Sequence, residues 1–277
     1  MKTVTRFAPS PSGYLHLGHA YAALEARRLA DVDGGEMRLR IEDIDAPRCD
    51  PLYDPAIRDD LTFLGITWDG PVLVQSGRMA AYQDALEALK QRDLVYPCYL
   101  SRRQLDSLLS APHPRNTDRL VDPEDSPTPA GQAGEPAWRL RMEAAEPILR
   151  GLDFTDMRHG GRKIDFSEIG DEVIARKDIA TSYHLSVVVD DAASGVTLVT
   201  RGEDLLPSTP LHRILQELLG LPETRWWHHP VMTDPSGRRL SKRAGDISLN
   251  ELRAAGLDRA AILTRINESN FSSILTA

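Results

Sequence analysis

With 277 residues, 41% of them apolar, and a net charge of −8, the chain can bury a sizeable core, is not disordered, and is no nonspecific nucleic-acid binder. Its longest branched apolar run is Val187-Val188-Val189, and Met1-Lys2-Thr3 leads into a strand pattern without an apolar signal segment, so we expect no membrane association and a cytoplasmic location. Cys49 and Cys98 are the two cysteines; they fit a reducing compartment and make no disulfide framework.

A short strand over Thr3 to Ala8 opens the chain and gives way to a Pro/Gly loop. A helix then starts near Leu17, where Ala20, Tyr21, Leu24 and Leu29 recur at helical spacing. A helix N-terminus offers unpaired N–H groups and partial positive charge, which suits a phosphate. His16 and His19, on either side of Leu17 and Gly18, share one face there and have donors for phosphoryl oxygens; two surface histidines at a helix start is the alternative.

Met37 to Glu42 alternates apolar and polar with period two, predicting a strand that ends in Glu42, Asp43 and Asp45. Helical patterns follow at Ile57, Leu61 and Leu64, closed by Gly65, and at Met79, Tyr82, Leu86 and Leu89. This strand–helix rhythm marks residues 1–92 as the first half of a nucleotide-binding fold. In such a sheet, ligands bind beyond the carboxyl ends of the strands, where the acids and the first loop meet.

The rhythm breaks over 93–178, read as an inserted subdomain. Val95 to Leu100 is strand-like, Ser101 and Gln104 form a capping box for a short helix to about Ser110, and Pro112 to Pro136 reads as a surface loop. Alternation returns in Trp138 to Met142, with short strands and turns to about Asp178. Over 179–225 the second half resumes: Tyr183 to Asp190 as a buried strand by its Val run, Gly195 to Arg201 as another strand, and Pro210 to Leu219 as an amphipathic helix. In 226–277, Trp226 and Trp227 read as bracing a strand, with stacking on unpaired bases as the alternative, and His228 and His229 have no carboxylate or thiol at metal-ligand spacing. A turn at Asp234 to Gly237 precedes Arg238 to Arg243. Ser248 and Glu251 form a second capping box, and a last helix runs from Asp258 past Ile266. The fold class expected is α/β: a split Rossmann-like, doubly wound parallel sheet with an inserted α+β subdomain and a short C-terminal helical segment.

Lys242, beside Ser241, Arg239 and Arg243, lies in a cationic loop able to stabilise charge on an α-phosphate and a pyrophosphate leaving group; the alternative is a solvated basic turn. Arg102-Arg103 and Arg238-Arg239 are the candidates for contact with a phosphate backbone.

In order, His16-Leu17-Gly18-His19, an insertion and Arg239-Leu240-Ser241-Lys242-Arg243 resemble the core of a class I aminoacyl-tRNA synthetase. Arg6 to Pro11, Arg40 to Asp45, Tyr183-His184-Leu185, Val189-Asp190-Asp191 and Arg201-Gly202-Glu203-Asp204 resemble the glutamyl-tRNA synthetase catalytic domain. The chain ends about one helical hairpin after its basic loop, which is similar to the glutamyl-queuosine tRNA(Asp) synthetase branch of that family. The resemblance implies ATP-dependent activation of L-glutamate without tRNA and transfer of the glutamyl group to queuosine in tRNA(Asp), with Mg²⁺ entering as part of the ATP complex. It implies a glutamate site of Arg6, Ala8, Ser10, Glu42, Tyr183 and Arg201, with the γ-carboxylate on Arg201. It also implies an ATP site of His16, Gly18, His19, Ser241 and Lys242, with His16, His19 and Lys242 catalytic. Some members carry a zinc site in the insertion, but Leu100 stands where its second cysteine would fall after Cys98, so no structural zinc and no other resident metal is expected. Arg239 replaces the first lysine of the basic signature. The rival readings are an enzyme charging the tRNA 3′ end, a related nucleotidyltransferase and a noncatalytic tRNA-binding or regulatory module.

Overall fold

A computed structural model of the chain describes residues 2–100, 135–233 and 247–274. The first strand, β1 (Val4–Phe7), pairs in parallel with β2 (Glu36–Ile41), which pairs in parallel with the short β3 (Leu73–Val74). A second group of strands pairs β9 (Leu198–Gly202) in parallel with β10 (Arg225–His229), and β10 with β6 (Asp153–Asp156). β7 (Gly160–Lys163) adds to β6 as an antiparallel hairpin. The groups meet where β1 and β9 lie side by side: Thr197 N donates to Val4 O, and Val4 N to Thr197 Oγ1, both at 2.9 Å. β4 (Val95–Cys98), β5 (Ala137–Leu140) and β8 (Val173–Ala175) form a separate antiparallel sheet.

α1 (Leu17–Asp31) buries Ala20, Ala23, Ala26 and Ala30, small residues that let its backbone approach the sheet closely. Thr5 Oγ1 on β1 reaches Ala26 O at 2.8 Å. α2 (Tyr53–Phe63) ends two residues before Gly65, whose φ of +70° is open to glycine at little cost. α3 (Met79–Gln91) buries Tyr82, Leu86 and Leu89, the residues whose spacing predicted it. The short α4 (Met142–Ala145) follows β5.

Tyr183 to Asp190 is not a strand. It is α5 (Tyr183–Ala193), and Ser182 caps it by accepting from Leu185 N at 3.3 Å. Leu185, Ser186, Val187, Val188, Asp190 and Asp191 are all buried, so the helix has no polar face to display a helical period. Its valines mimic a strand, but tertiary burial overrides their weak intrinsic preference. Sequence periodicity also passed over β3, which is only two residues long.

α6 (Thr209–Leu218) and β10 fall where expected. Trp226 is buried edge-on to Phe154, with ring centroids 5.6 Å apart, and so braces β10 against β6. One core collects residues of α1, β2 and α2 with the C-terminal helices; another joins Leu140, Phe154 and Ile174 to Leu185, Val199 and Trp226. The stretch 93–178 thus shares a core with α5, β9 and β10.

The second capping box is present: Ser248 Oγ accepts from Glu251 N at 3.2 Å, and Glu251 Oε2 accepts from Ser248 N at 2.8 Å. It opens α7 (Leu249–Ala254), and α8 (Arg259–Ile274) packs on α1. The helix expected from Ser101 to Ser110, the loop from Pro112 except its last two residues, and the basic segment through Lys242 lie outside the described residues. No helix among the described residues is long and apolar enough to cross a membrane.

Candidate active site

A cavity of about 660 Å³ opens where the carboxyl ends of β1, β2, β9 and β10 face the start of α1. Arg6, Ala8, Ser10, His16, Gly18, His19, Glu42, Tyr183 and Arg201 all line it. Ser241 and Lys242 lie outside the described residues, but the chain on either side of their segment abuts the histidines. Met232 packs near Gly18, and Ser248 bridges to His16 while Leu249 N donates to Leu15 O at 2.7 Å.

The two histidines form an unusual cap for α1. His16 Nδ1 accepts from Gly18 N at 3.1 Å, and His19 Nδ1 accepts from His16 N at 3.2 Å. A ring nitrogen that accepts carries no proton, so each imidazole keeps its hydrogen on Nε2. Their centroids are 3.8 Å apart. The backbone thereby fixes two neighbouring donors, their rings tilted by 40°, at a positive helix end. A Cβ at residue 18 would come within 3.0 Å of the His16 ring, which is why glycine sits there.

At the far side, Asp191 on α5 joins two arginines. Its Oδ1 accepts from Arg6 Nε at 3.1 Å and from Arg40 Nη1 at 2.6 Å, and all three side chains are almost fully buried. Arg40 also donates twice to Glu42 Oε1, at 3.0 and 3.3 Å, and Arg6 Nη1 donates to Thr200 O at 2.6 Å. Burial raises the pKa of Glu42, a rise that Arg40 and Arg6 oppose. Burial acts on Asp191 in the same sense, but Arg6 and Arg40 outweigh it and hold its carboxyl below the ordinary value. Arg40 and Asp191 had no assigned role in the sequence. Arg40 looked like the polar phase of an alternating strand, and Asp191 fell just past the expected end of another.

Next to Asp191, the wholly buried Asp190 accepts from Gln75 Nε2 at 2.9 Å, Arg78 Nε at 3.1 Å and the Tyr82 hydroxyl at 2.6 Å. This network ties α5 to α3 and reaches the cavity wall at Gln75.

Arg201 is 5% exposed and donates from Nε to His228 Nε2 at 3.1 Å and from Nη2 to Thr209 Oγ1 at 2.7 Å, with Nη1 2.9 Å from His212 Nδ1. His212 continues to His184 at 3.0 Å. Burial and then Arg201 itself drive down the pKa values of His184, to about 4, and of His212. Burial also depresses His228 to about 4, against its bond to Asp156. Arg201 is thus a buried cation among neutral rings. No carboxylate among the described residues lies within ion-pair distance of it. Burial raises the Tyr183 pKa, and Arg201 opposes that rise.

Cys98 is buried with Tyr96 and Leu100 as part of an apolar cluster. Among the described residues, no group of three His, Cys, Asp or Glu side chains is placed to hold a metal ion.

Residues 2–273 match the family described as tRNA synthetases class I (E and Q), catalytic domain. The chain is 48% identical to the glutamyl-Q tRNA(Asp) synthetase of Rhodobacter capsulatus over 94% of this chain and 98% of that protein. It is 37% identical to glutamate–tRNA ligase 1 of Wolinella succinogenes over 94% of this chain and 56% of that one. The glutamate tRNA ligase of Elizabethkingia meningosepticum, solved in complex with its amino acid, superposes with a TM-score of 0.72 at 28% identity, covering 89% of this chain and 53% of that one. The chain therefore spans about half the length of the solved glutamate tRNA ligases and nearly all of the Rhodobacter protein. From its parallel sheet, with α1 opening beside the cavity, and a match across almost its whole length, the chain belongs to the family of class I (E and Q) tRNA synthetase catalytic domains.

Proposed function

We propose that this enzyme, a ligase of the class I tRNA synthetase type, activates L-glutamate with ATP in the absence of tRNA and transfers the glutamyl group to queuosine in the anticodon of tRNA(Asp). The observation that carries the glutamate assignment is Arg201: a buried guanidinium whose direct partners Thr209, His212 and His228 are neutral. Such a cation calls for an anionic ligand, and its fork matches a carboxylate. Glutamate fits with its γ-carboxylate on Arg201, its α-ammonium on Glu42, and Tyr183 orienting it; Arg6, Ala8 and Ser10 complete the pocket. Glutamine would leave the guanidinium facing a neutral amide, at a cost of about 1.5–3 kcal/mol. The queuosine assignment is supported by the relatives from Rhodobacter capsulatus and Nocardia farcinica, both named glutamyl-Q tRNA(Asp) synthetase.

The ATP phosphates rest on the N-terminus of α1. His16 and His19 donate from Nε2 to phosphoryl oxygens, and Gly18 lets the backbone come close. A glutamate α-carboxylate oxygen attacks the α-phosphorus in line as the bond to the β-phosphate oxygen breaks, giving glutamyl-adenylate and pyrophosphate. Lys242 and Ser241 stabilise the charge that spreads over the phosphoryl oxygens. Mg²⁺ would enter as part of the ATP complex, where it would offset charge on the phosphate oxygens. A queuosine hydroxyl then attacks the activated carbonyl and AMP leaves.

Charging of a tRNA 3′ end is the second reading, favoured by the 37% identity to the Wolinella ligase. Glutamate-dependent ATP–pyrophosphate exchange separates the two, run with and without tRNA, with glutamine and aspartate as controls and Lys242→Ala as the blank. Exchange with glutamate alone, followed by label transfer only to tRNA(Asp) that contains queuosine, is the expected result. Exchange that requires tRNA, or label on the 3′ end, would move the assignment to charging.

A further inference from the structure

The hydrogen-bond chain that ends on Arg201 begins at Asp156 in β6, within the stretch expected as an insertion. Asp156 and His228 are wholly buried, and their side chains meet at 2.5 Å through Oδ2 and Nδ1. Oδ2 also accepts from His228 N at 3.2 Å, and Oδ1 accepts from the backbone N of Arg158 and His159 at 2.9 and 2.8 Å. With its four bonds taken by donors, Asp156 fixes the His228 proton on Nδ1. Nε2 is left as an acceptor, facing Arg201 Nε at 3.1 Å, because parallel pairing of β9 with β10 sets His228 beside Arg201. Thr209 Oγ1 lies 3.1 Å from the same Nε2 and accepts from Arg201 Nη2.

We propose that Asp156 and His228 are positioning residues for glutamate selection: Asp156 locks His228 in the Nδ1–H tautomer, and His228 Nε2 in turn fixes the plane of the Arg201 guanidinium, so that its cavity-facing edge, beside Tyr183, meets the γ-carboxylate. This rests on the glutamate reading above. The structure also shows why a carboxylate is needed at Asp156. An asparagine has one oxygen; if that oxygen keeps the turn bonds to Arg158 and His159, its NH₂ faces two further donors from His228. The ring must then move its proton to Nε2, where it opposes Arg201 Nε–H, donor against donor. The depressed pKa of His228 agrees with a ring kept neutral beside a cation.

The test uses the full chain. In protein with ¹⁵N-labelled histidine, the His228 ring should show a protonated Nδ1 and a bare Nε2, and the two should exchange in Asp156→Asn. In glutamate-dependent exchange, the same variant should raise KM for glutamate roughly tenfold and lower the preference for glutamate over glutamine by a similar factor, the loss of about one hydrogen bond to a charged group. KM for ATP should not move, which separates positioning from general loosening. His228→Gln can donate to Asp156 and accept from Arg201 and should recover most of the affinity, whereas His228→Leu should not. If Asp156→Asn fails to fold, this second pair decides. An unchanged tautomer, an unchanged glutamate preference, or equal behaviour of the Gln and Leu variants would overturn the proposal. Absence of glutamate-dependent exchange in the unsubstituted protein overturns the functional reading instead; the tautomer exchange and calorimetric glutamate binding then judge the positioning role directly.

Discussion

Among single residues, the buried histidines have consequences for stability as well as for the site. Burial holds the pKa values of His184 and His228 down to about 4 in the folded protein, against 6.5 for a free imidazole. The unfolded chain therefore binds protons first as pH falls, and binding there draws the equilibrium toward unfolding. This contribution is intact above pH 6.5 and is lost on the way down to about 4, with a limiting slope of about 1.4 kcal/mol per pH unit for each ring. Urea midpoints should thus be lower at pH 5 than at pH 7, and His184→Gln should flatten the difference. Equal midpoints would mean that these rings ionise freely in the folded state. The depressed carboxyls Asp156 and Asp191 act at lower pH, below the ordinary value of 3.8, so the two groups separate along the pH axis.

At the scale of elements, α5 depends on its cap more than on its composition. Its N-terminus carries Tyr183 into the cavity, and its C-terminal half carries Asp190 and Asp191 to their arginines. Ser182 is buried, and water cannot replace its bond to Leu185 N. Ser182→Ala should cost about 1 kcal/mol or somewhat more, read from chemical denaturation, and should raise KM for glutamate because Tyr183 is the next residue. Ser182→Asp, which retains a capping oxygen, should recover the KM more fully than alanine does. A KM indifferent to both would detach Tyr183 from the pocket. α7 has its own capping box, yet it was legible in advance because Ser248 and Glu251 stand three apart before an apolar pair. The cap of α5 was equally present in the sequence, but its valine run masked it.

For the molecule as a whole, Asp191 is one of the joints. Arg6 lies on β1 and Arg40 on β2, whereas Asp191 belongs to α5, so one carboxylate oxygen adds a buried charge link to the hydrogen bonds that join β1 to β9. Asp191→Ala would leave two buried guanidinium groups short of their counter-charge, with an expected loss of about 3–5 kcal/mol. Asp191→Asn, of the same shape, should be only partly better, since it can accept but carries no charge. Thermal melts of both variants check this; an alanine variant as stable as the parent protein would show that water or Glu42 replaces the carboxylate.

By itself, the sequence determined most of the helices and strands, the start of α1 beside His16 and His19, and both ends of the C-terminal capping box. These are local matters: helical and strand periods, caps and glycine turns are written within a few residues of one another. Tertiary structure alone decided that Tyr183 to Asp190 is helical, that β6 and β7 join β10 and β9, and that Arg40, Asp156, Asp190, Asp191, His212 and His228 bond, directly or through one neighbour, to residues that line the pocket. Partners such as Arg6 and Asp191 stand 185 residues apart. No local pattern encodes such a pairing, because it exists only once parallel strands and the helices between them bring distant side chains into the same low-dielectric interior, where each charge must find its partner.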